Sequence, residues 1–148
     1  MITSCRGEAL VEKEIWTNED FDVMGWHDCR LYSISLPNES FDLKIDIDYI
    51  FKWEKRGDRF FGFWVSECDL TFHQVFDFKI TIEPENTTPT IISDITRKNV
   101  RPTPSGELFV WDYEIELDKG VICFSATGFT QKLRSQPVFS ESQNLCNR

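Results

Sequence analysis

Between Phe41 and Trp53 the chain reads FDLKIDIDYIFKW, with Phe41, Leu43, Ile45, Ile47, Tyr49, Phe51 and Trp53 on every second position. Asp42, Lys44, Asp46, Asp48 and Lys52 fill most of the gaps, and only Ile50 breaks the alternation. Successive strand side chains point to opposite faces, so the pattern predicts one long strand with an apolar face and a charged face. A parallel strand covered on both sides would be a continuous apolar run; this one belongs in an antiparallel sheet with one wet side. Leu43, Ile45, Ile47 and Tyr49 are expected in the core, and Lys44, Asp46 and Lys52 in water. A one-residue slip would exchange the two sets.

The rest of the chain is arranged around that strand. Residues 1–23 form a weakly defined segment whose only amphipathic stretch, Glu8 to Trp16, fits a single helix or an edge strand. Tyr32, Ile34 and Leu36 alternate with Leu31, Ser33 and Ser35, and Pro37-Asn38-Glu39-Ser40 turns them into the long strand, predicting a hairpin. Glu54 to Arg59 turns the chain again. Phe60 to Val65 returns with apolar residues on both faces, Leu70, Phe72, Gln74 and Phe76 continue the run, and Phe78, Ile80 and Ile82 repeat it up to a turn at Glu83-Pro84-Glu85-Asn86. Ile91, Ile92 and Ile95 mark a shorter strand. Arg97 to Gly106, RKNVRPTPSG, is expected to be a basic loop, because its two prolines cannot donate to a ladder. Phe109, Trp111, Tyr113, Ile115 and Leu117 alternate with Val110, Asp112, Glu114 and Glu116, and Asp118-Lys119-Gly120 turns them into Val121 to Phe129. Residues 135–148 are polar, lack a period and are expected to fray. Together these elements predict a single, mainly β domain: about seven to nine antiparallel strands in a strongly curled sheet or β-sandwich, with at most one short helix.

Composition narrows the function classes. Sixteen basic against 25 acidic side chains leave a formal charge of −9, which repels phosphate backbones and anionic lipid and argues against nucleic acid or a membrane as partner. The same charge supports solubility, or a partner with a basic surface. No basic start followed by an apolar run and no window of ~18 apolar residues is present, so the chain is expected to be cytoplasmic. Its five cysteines, Cys5, Cys29, Cys68, Cys123 and Cys146, are odd in number and scattered, which suits reduced thiols.

Candidate chemistry is sparse. His27-Asp28, in GWHDCRLYSISL, could ligate a metal or work as an acid–base pair, or could simply fix the turn beneath Trp26. Asp46 and Asp48 share a strand face ~7 Å apart and could hold a cation or divide acid and base roles, or could be a solvated face softened by Lys44 and Lys52. Asp112, Glu114 and Glu116 carry the same ambiguity. The chain has no GxSxG, phosphate loop, GxGxxG or HExxH, which argues against an enzyme and implies no cofactor.

GWHDCRLYSISL followed by FDLKIDIDYIFKW, with the later WDYEIEL and GVICFSATGF, resembles a loose group of small bacterial proteins with an aromatic-His-Asp start to a strand pair. Some of that group are immunity proteins of polymorphic toxin systems, which neutralise a secreted toxin by binding it. The resemblance extends in pattern over residues 24–134, and it marks Trp26, His27 and Asp28 without assigning them a role. It implies a binding protein of the immunity type. With no catalytic motif in the chain, the leading reading is a non-catalytic binding protein, and the net charge, the acidic strand faces at Asp46/Asp48 and Asp112/Glu114/Glu116 and the aromatic residues Trp64 and Trp111 suit a basic partner such as a toxin. Two alternatives stand beside it. One is a small-ligand- or metal-dependent enzyme using His27, Asp28, Asp46 and Asp48; the other is a homo-oligomeric structural domain joined through Phe60 to Val65.

Overall fold

Alternating side chains and turn residues produce a molecule made almost entirely of antiparallel strands. The computed structural model describes residues 2–5, 8–83 and 88–145. In order these form β1 (Ile2–Cys5), β2 (Glu8–Val11), β3 (Ile15–Thr17), a 3-10 helix (Asn18–Val23), β4 (Arg30–Ser35), β5 (Leu43–Arg56), β6 (Arg59–His73) and β7 (Phe76–Ile82). There follow β8 (Thr90–Pro102), β9 (Phe109–Leu117), β10 (Gly120–Ala126), β11 (Gly128–Leu133) and β12 (Val138–Ser140). β1 and β2 pair with each other; the remaining ten strands make one sheet, ordered β3-β11-β6-β5-β4-β8-β9-β10-β7, with β12 on the side of β6. No described helix is long and apolar enough to cross a membrane.

The mainly β, antiparallel architecture is as the pattern predicts, but the sheet is neither closed nor strongly curled, and its strands outnumber the expected seven to nine. Its two flanks meet at a short join between β4 and β8, where Arg30 opposes Ile91 and Leu31 opposes Thr90. Aromatic residues pack one flank on the other: Phe72 of β6 lies 5.0 Å from Tyr113 of β9 and 4.7 Å from Phe124 of β10, ring centre to ring centre. Offset and edge-on contacts of this kind contribute beyond the buried area alone.

The long strand faces the way its pattern demands. Leu43, Ile45, Ile47 and Tyr49 are all buried and Lys44 is exposed. Asp46 and Lys52, expected in water, are half-buried, and Asp48 is 0% exposed. Asp46 is held by Arg134 and Lys52 by Glu54, and the cover over Asp48 is the C-terminal segment. Where fraying is expected, Val138–Ser140 pairs with Val65, Trp64 and Phe63 of β6, and the chain then runs on to Leu145 over the outer face.

Other boundaries differ from expectation for local reasons. Glu8 to Trp16 contributes β2 and the end strand β3, and the helix begins only after it. β6 runs unbroken to His73, and Gln74 and Asp77, both with positive φ, redirect the chain into β7 on the other flank. The basic segment is strand as far as Pro102, with a register shift between Lys98 and Arg101 that brackets Asn99 at φ 57; its first proline sits at the strand end, where no ladder bond is lost. Val121 to Phe129 is two strands. Gly128, at φ 149, separates them, and a Cβ there would lie 2.0 Å from the Asn18 side chain. That side chain donates to Thr127 O and accepts from Phe129 N, bonding both sides of the break. The turn expected at Glu83 to Asn86 lies, from Pro84 on, outside the described residues, as does Cys146.

Candidate functional site

Trp26, His27 and Asp28 occupy the turn that opens β4. Trp26 is buried against Phe21, Tyr49 and Phe129, and its indole N–H donates to the side-chain oxygen of Gln131 at 2.8 Å. Asp28 takes φ 66, a region open to Asp more than to most residues. Its backbone N–H reaches Ile92 O at 2.9 Å, and Ile92 N–H returns to Cys29 O at 2.8 Å. His27 sets Nδ1 3.0 Å from Ser93 O and Nε2 3.4 Å from its neighbour's carboxylate, which also accepts from Gln143 Nε2 at 2.9 Å. These contacts tie the turn to β8, to β11 and to the C-terminal segment.

The outer face of the first flank is a polar lattice set by strand register. One row runs Ser35, Lys44, Thr71, Thr130 across β4, β5, β6 and β11; the next runs Ser33, Asp46, Asp69, Lys132. Arg134, just past β11, collects the acids of this face: it bonds Asp46, and lies 3.6 Å from Glu67 and 3.5 Å from Asp69. Asp48 belongs elsewhere. It accepts from Tyr32 Oη at 2.7 Å and from Leu145 N–H at 2.8 Å, beneath the C-terminal segment. His27/Asp28, Asp46 and Asp48 are therefore held by different partners, and among the described residues no three His, Cys, Asp or Glu side chains are placed to hold a metal ion. At the far end of the lattice His73 sets Nε2 2.8 Å from Thr130 Oγ1 and Nδ1 3.4 Å from Asp42. A groove of about 550 Å³ follows the two rows, with His73 at its edge.

The second flank carries the other acidic face. Asp112 is held by Ser125 Oγ at 2.7 Å, Asn99 Nδ2 at 2.9 Å and Arg101 Nη1 at 3.1 Å. These donors, Asn99 foremost, hold its carboxyl well below the ordinary range, at about 2. Glu114 and Glu116 are exposed and have no ion-pair partner among the described residues. Asp94 of β8 stands directly opposite Glu116. A hollow of about 300 Å³ beside Glu114 is lined by Asp77, Thr96, Lys98, Asp112 and Ser125 among others.

Of the two aromatic anchors expected, Trp64 is covered and Trp111 is partly exposed. Trp64 is buried, donates to Glu54 at 3.0 Å and packs on Phe139, whose ring occupies the space a Cβ at Gly62 would need. Trp111 is half-buried with the Arg97 guanidinium 4.4 Å above its ring. Val100, Leu108 and Phe109, large, apolar and exposed, lie at the turn end of the β8–β9 hairpin. Phe60 to Val65 runs along β5 on one edge, and Phe63 to Val65 pairs with β12 on the other, so an edge-to-edge join between copies at Phe63 to Val65 would have to displace β12. Cys29 and Cys68 are buried thiols, and desolvation pushes Cys29 up to about 12 and Cys68 higher still, which suits core packing rather than thiolate chemistry.

Sequence reasoning missed Gln131, Arg134, Tyr32 and Asn18. Gln131 had a signal, because it takes an inward place between Phe129 and Leu133 in GFTQKL; a polar residue at a core position has to find a partner. The others bond across 79 to 113 residues of sequence or gather several strands, and no local pattern marks them. No family model, curated protein or solved structure matches this chain.

Proposed function

We propose that the chain is a non-catalytic binding protein for a partner with a basic surface, of the kind an immunity-type inhibitor makes with a basic toxin. The observation that carries this reading is the group of unpaired acids on β8 and β9, Asp94, Glu114 and Glu116. Asp94 and Glu116 are cross-strand neighbours of like charge, Glu114 lies two residues along, and among the described residues no cation pairs with any of them. Like charges directly opposite one another destabilise a sheet. The first flank, by contrast, supplies Arg134 for its carboxylates. An acid cluster retained at a cost in stability is what a site for a cationic surface requires, since opposite charge mainly speeds encounter. Val100, Leu108 and Phe109 lie at the end of the same hairpin and offer apolar area that a partner would desolvate. The resemblance to immunity proteins points the same way.

The test is kinetic. With the partner recovered from the native host, Glu114→Lys/Glu116→Lys is expected to lower the association rate about tenfold or more, and raising salt to ~0.5 M should slow the parent protein similarly. Phe109→Ala should act instead on dissociation. A partner without a basic surface, or an association rate indifferent to both salt and charge reversal, would sink the reading.

A further inference from the structure

We propose that the groove on the outer face of β4, β5, β6 and β11 is a binding site for a small oxyanion, a phosphate or a phosphate monoester. The site is independent of the acidic face on β8 and β9. Several polar groups in the groove already have partners. Asp46 and Asp69 are taken by Arg134, and Asp42 lies beside His73. His73 in turn faces Thr130 through its other ring nitrogen, so that pair is also occupied. What remains along the groove is the ammonium groups of Lys44 and Lys132 and the hydroxyls of Ser33, Ser35 and Thr71. Among the described residues none of these five has a hydrogen-bond or ion-pair partner. Two are cationic donors and three are hydroxyls that can donate, and the two carboxylates of the groove, Asp46 and Asp69, share Arg134 with Glu67. A ligand that satisfies this set must be an acceptor carrying negative charge.

Register brings the five together. Ser35, Lys44 and Thr71 stand side by side in one row, and Ser33 and Lys132 lie in the next, at its two ends. Strands ~4.8 Å apart and rows ~7 Å apart put the Lys44 and Lys132 backbones on the order of 12 Å from each other, a span that two four-carbon stems close around a tetrahedral anion. The groove's volume of about 550 Å³ falls in the range of small-molecule sites, and its polar lining selects for charge rather than for apolar surface. Distant acids of the −9 chain are screened by salt beyond ~8 Å, and the two carboxylates that line the groove, Asp46 and Asp69, face Arg134.

Amide chemical-shift titrations of the full chain with inorganic phosphate and with phenyl phosphate, at constant ionic strength against chloride, test the site. Saturable shifts are expected at Lys44, Thr71 and Lys132, with binding weakened at least about tenfold in Lys44→Ala/Lys132→Ala. Both substitutions are at exposed positions, and an unchanged far-UV circular dichroism spectrum confirms that the double variant folds. Tighter binding of phenyl phosphate than of inorganic phosphate identifies a monoester as the ligand; the reverse order identifies free phosphate. Absence of saturable shifts at these residues up to about 20 mM of either anion, or equal binding by the double variant, would overturn the proposal.

Discussion

Trp26→Phe tests whether the most motif-like tryptophan serves the fold. Trp26 is 2% exposed and donates at 2.8 Å to Gln131, itself 0% exposed, whose side-chain nitrogen has no partner. Phenylalanine removes the donor and strands the carboxamide oxygen as well. An unsatisfied buried acceptor costs ~1–3 kcal/mol. The smaller ring opens space against Phe21, Tyr49 and Phe129 and adds ~1–2 kcal/mol. The expected loss is then ~2–5 kcal/mol, a large part of a small domain's stability. Adding Gln131→Leu deletes the stranded carboxamide, so the double variant should recover ~1–3 kcal/mol and leave only the packing deficit. Urea unfolding followed by far-UV circular dichroism, with m unchanged, measures both. A loss below ~1 kcal/mol in the single variant, or a double variant no more stable than the single, would refute the pairing as the reason for a tryptophan here.

Two further outcomes follow from the electrostatics. Asp112 titrates lower in the folded protein, at about 2 against an ordinary 3.8, so its stabilising contribution is complete above the unfolded value and is lost as pH falls through the folded one. With a third of its side chain exposed, screening limits that contribution to about 1 kcal/mol; Asp112→Asn should be less stable than the parent at about pH 6, with a gap that narrows toward about pH 2 and closes below it, and an unchanged gap between those pH values would disprove the assignment. Arg134→Ala leaves Asp46, Glu67 and Asp69 without their shared cation, for a loss of ~1–2 kcal/mol that should shrink in ~0.5 M salt. A loss independent of salt would mean that Arg134 acts through its aliphatic stem.

How far the sequence foretold the structure depended on how local the cause was. The alternation of β5 and β9 is a property of each strand alone, and the burial of Leu43 to Tyr49 and of Tyr113 to Leu117 follows it. The end of β6 was not legible, because Gln74 and Asp77 adopt positive φ without glycine to announce it. β10 and β11 looked like one strand because Phe124, Ala126 and Phe129 keep the apolar run alive across Gly128. Strand order was out of reach for a different reason: β11 pairs with β6 and β3, more than fifty residues away, and nothing in GFTQKL names those neighbours. Asp48 shows the same limit in a single residue. Its strand position predicts water, and Leu145, 97 residues on, supplies the cover.

Net charge alone did not say which acids were available to a partner. Asp46 and Glu114 occupy equivalent outward places on amphipathic strands, and from the pattern they were alike. Arg134 separates them, because it engages three acids of one outer face, where Lys44 and Lys132 have no ion-pair partner among the described residues. On the other face Asn99, Ser125 and Arg101 spend themselves on Asp112, and Asp94, Glu114 and Glu116 are left without a counter-ion among the described residues. One acidic chain thus presents two outer surfaces whose unpaired charges differ in sign. The two proposals rest on that division, which makes their variants separable: Arg134→Ala should restore free acid to the groove and weaken phosphate binding there, while leaving salt-dependent association through Glu114 and Glu116 unchanged.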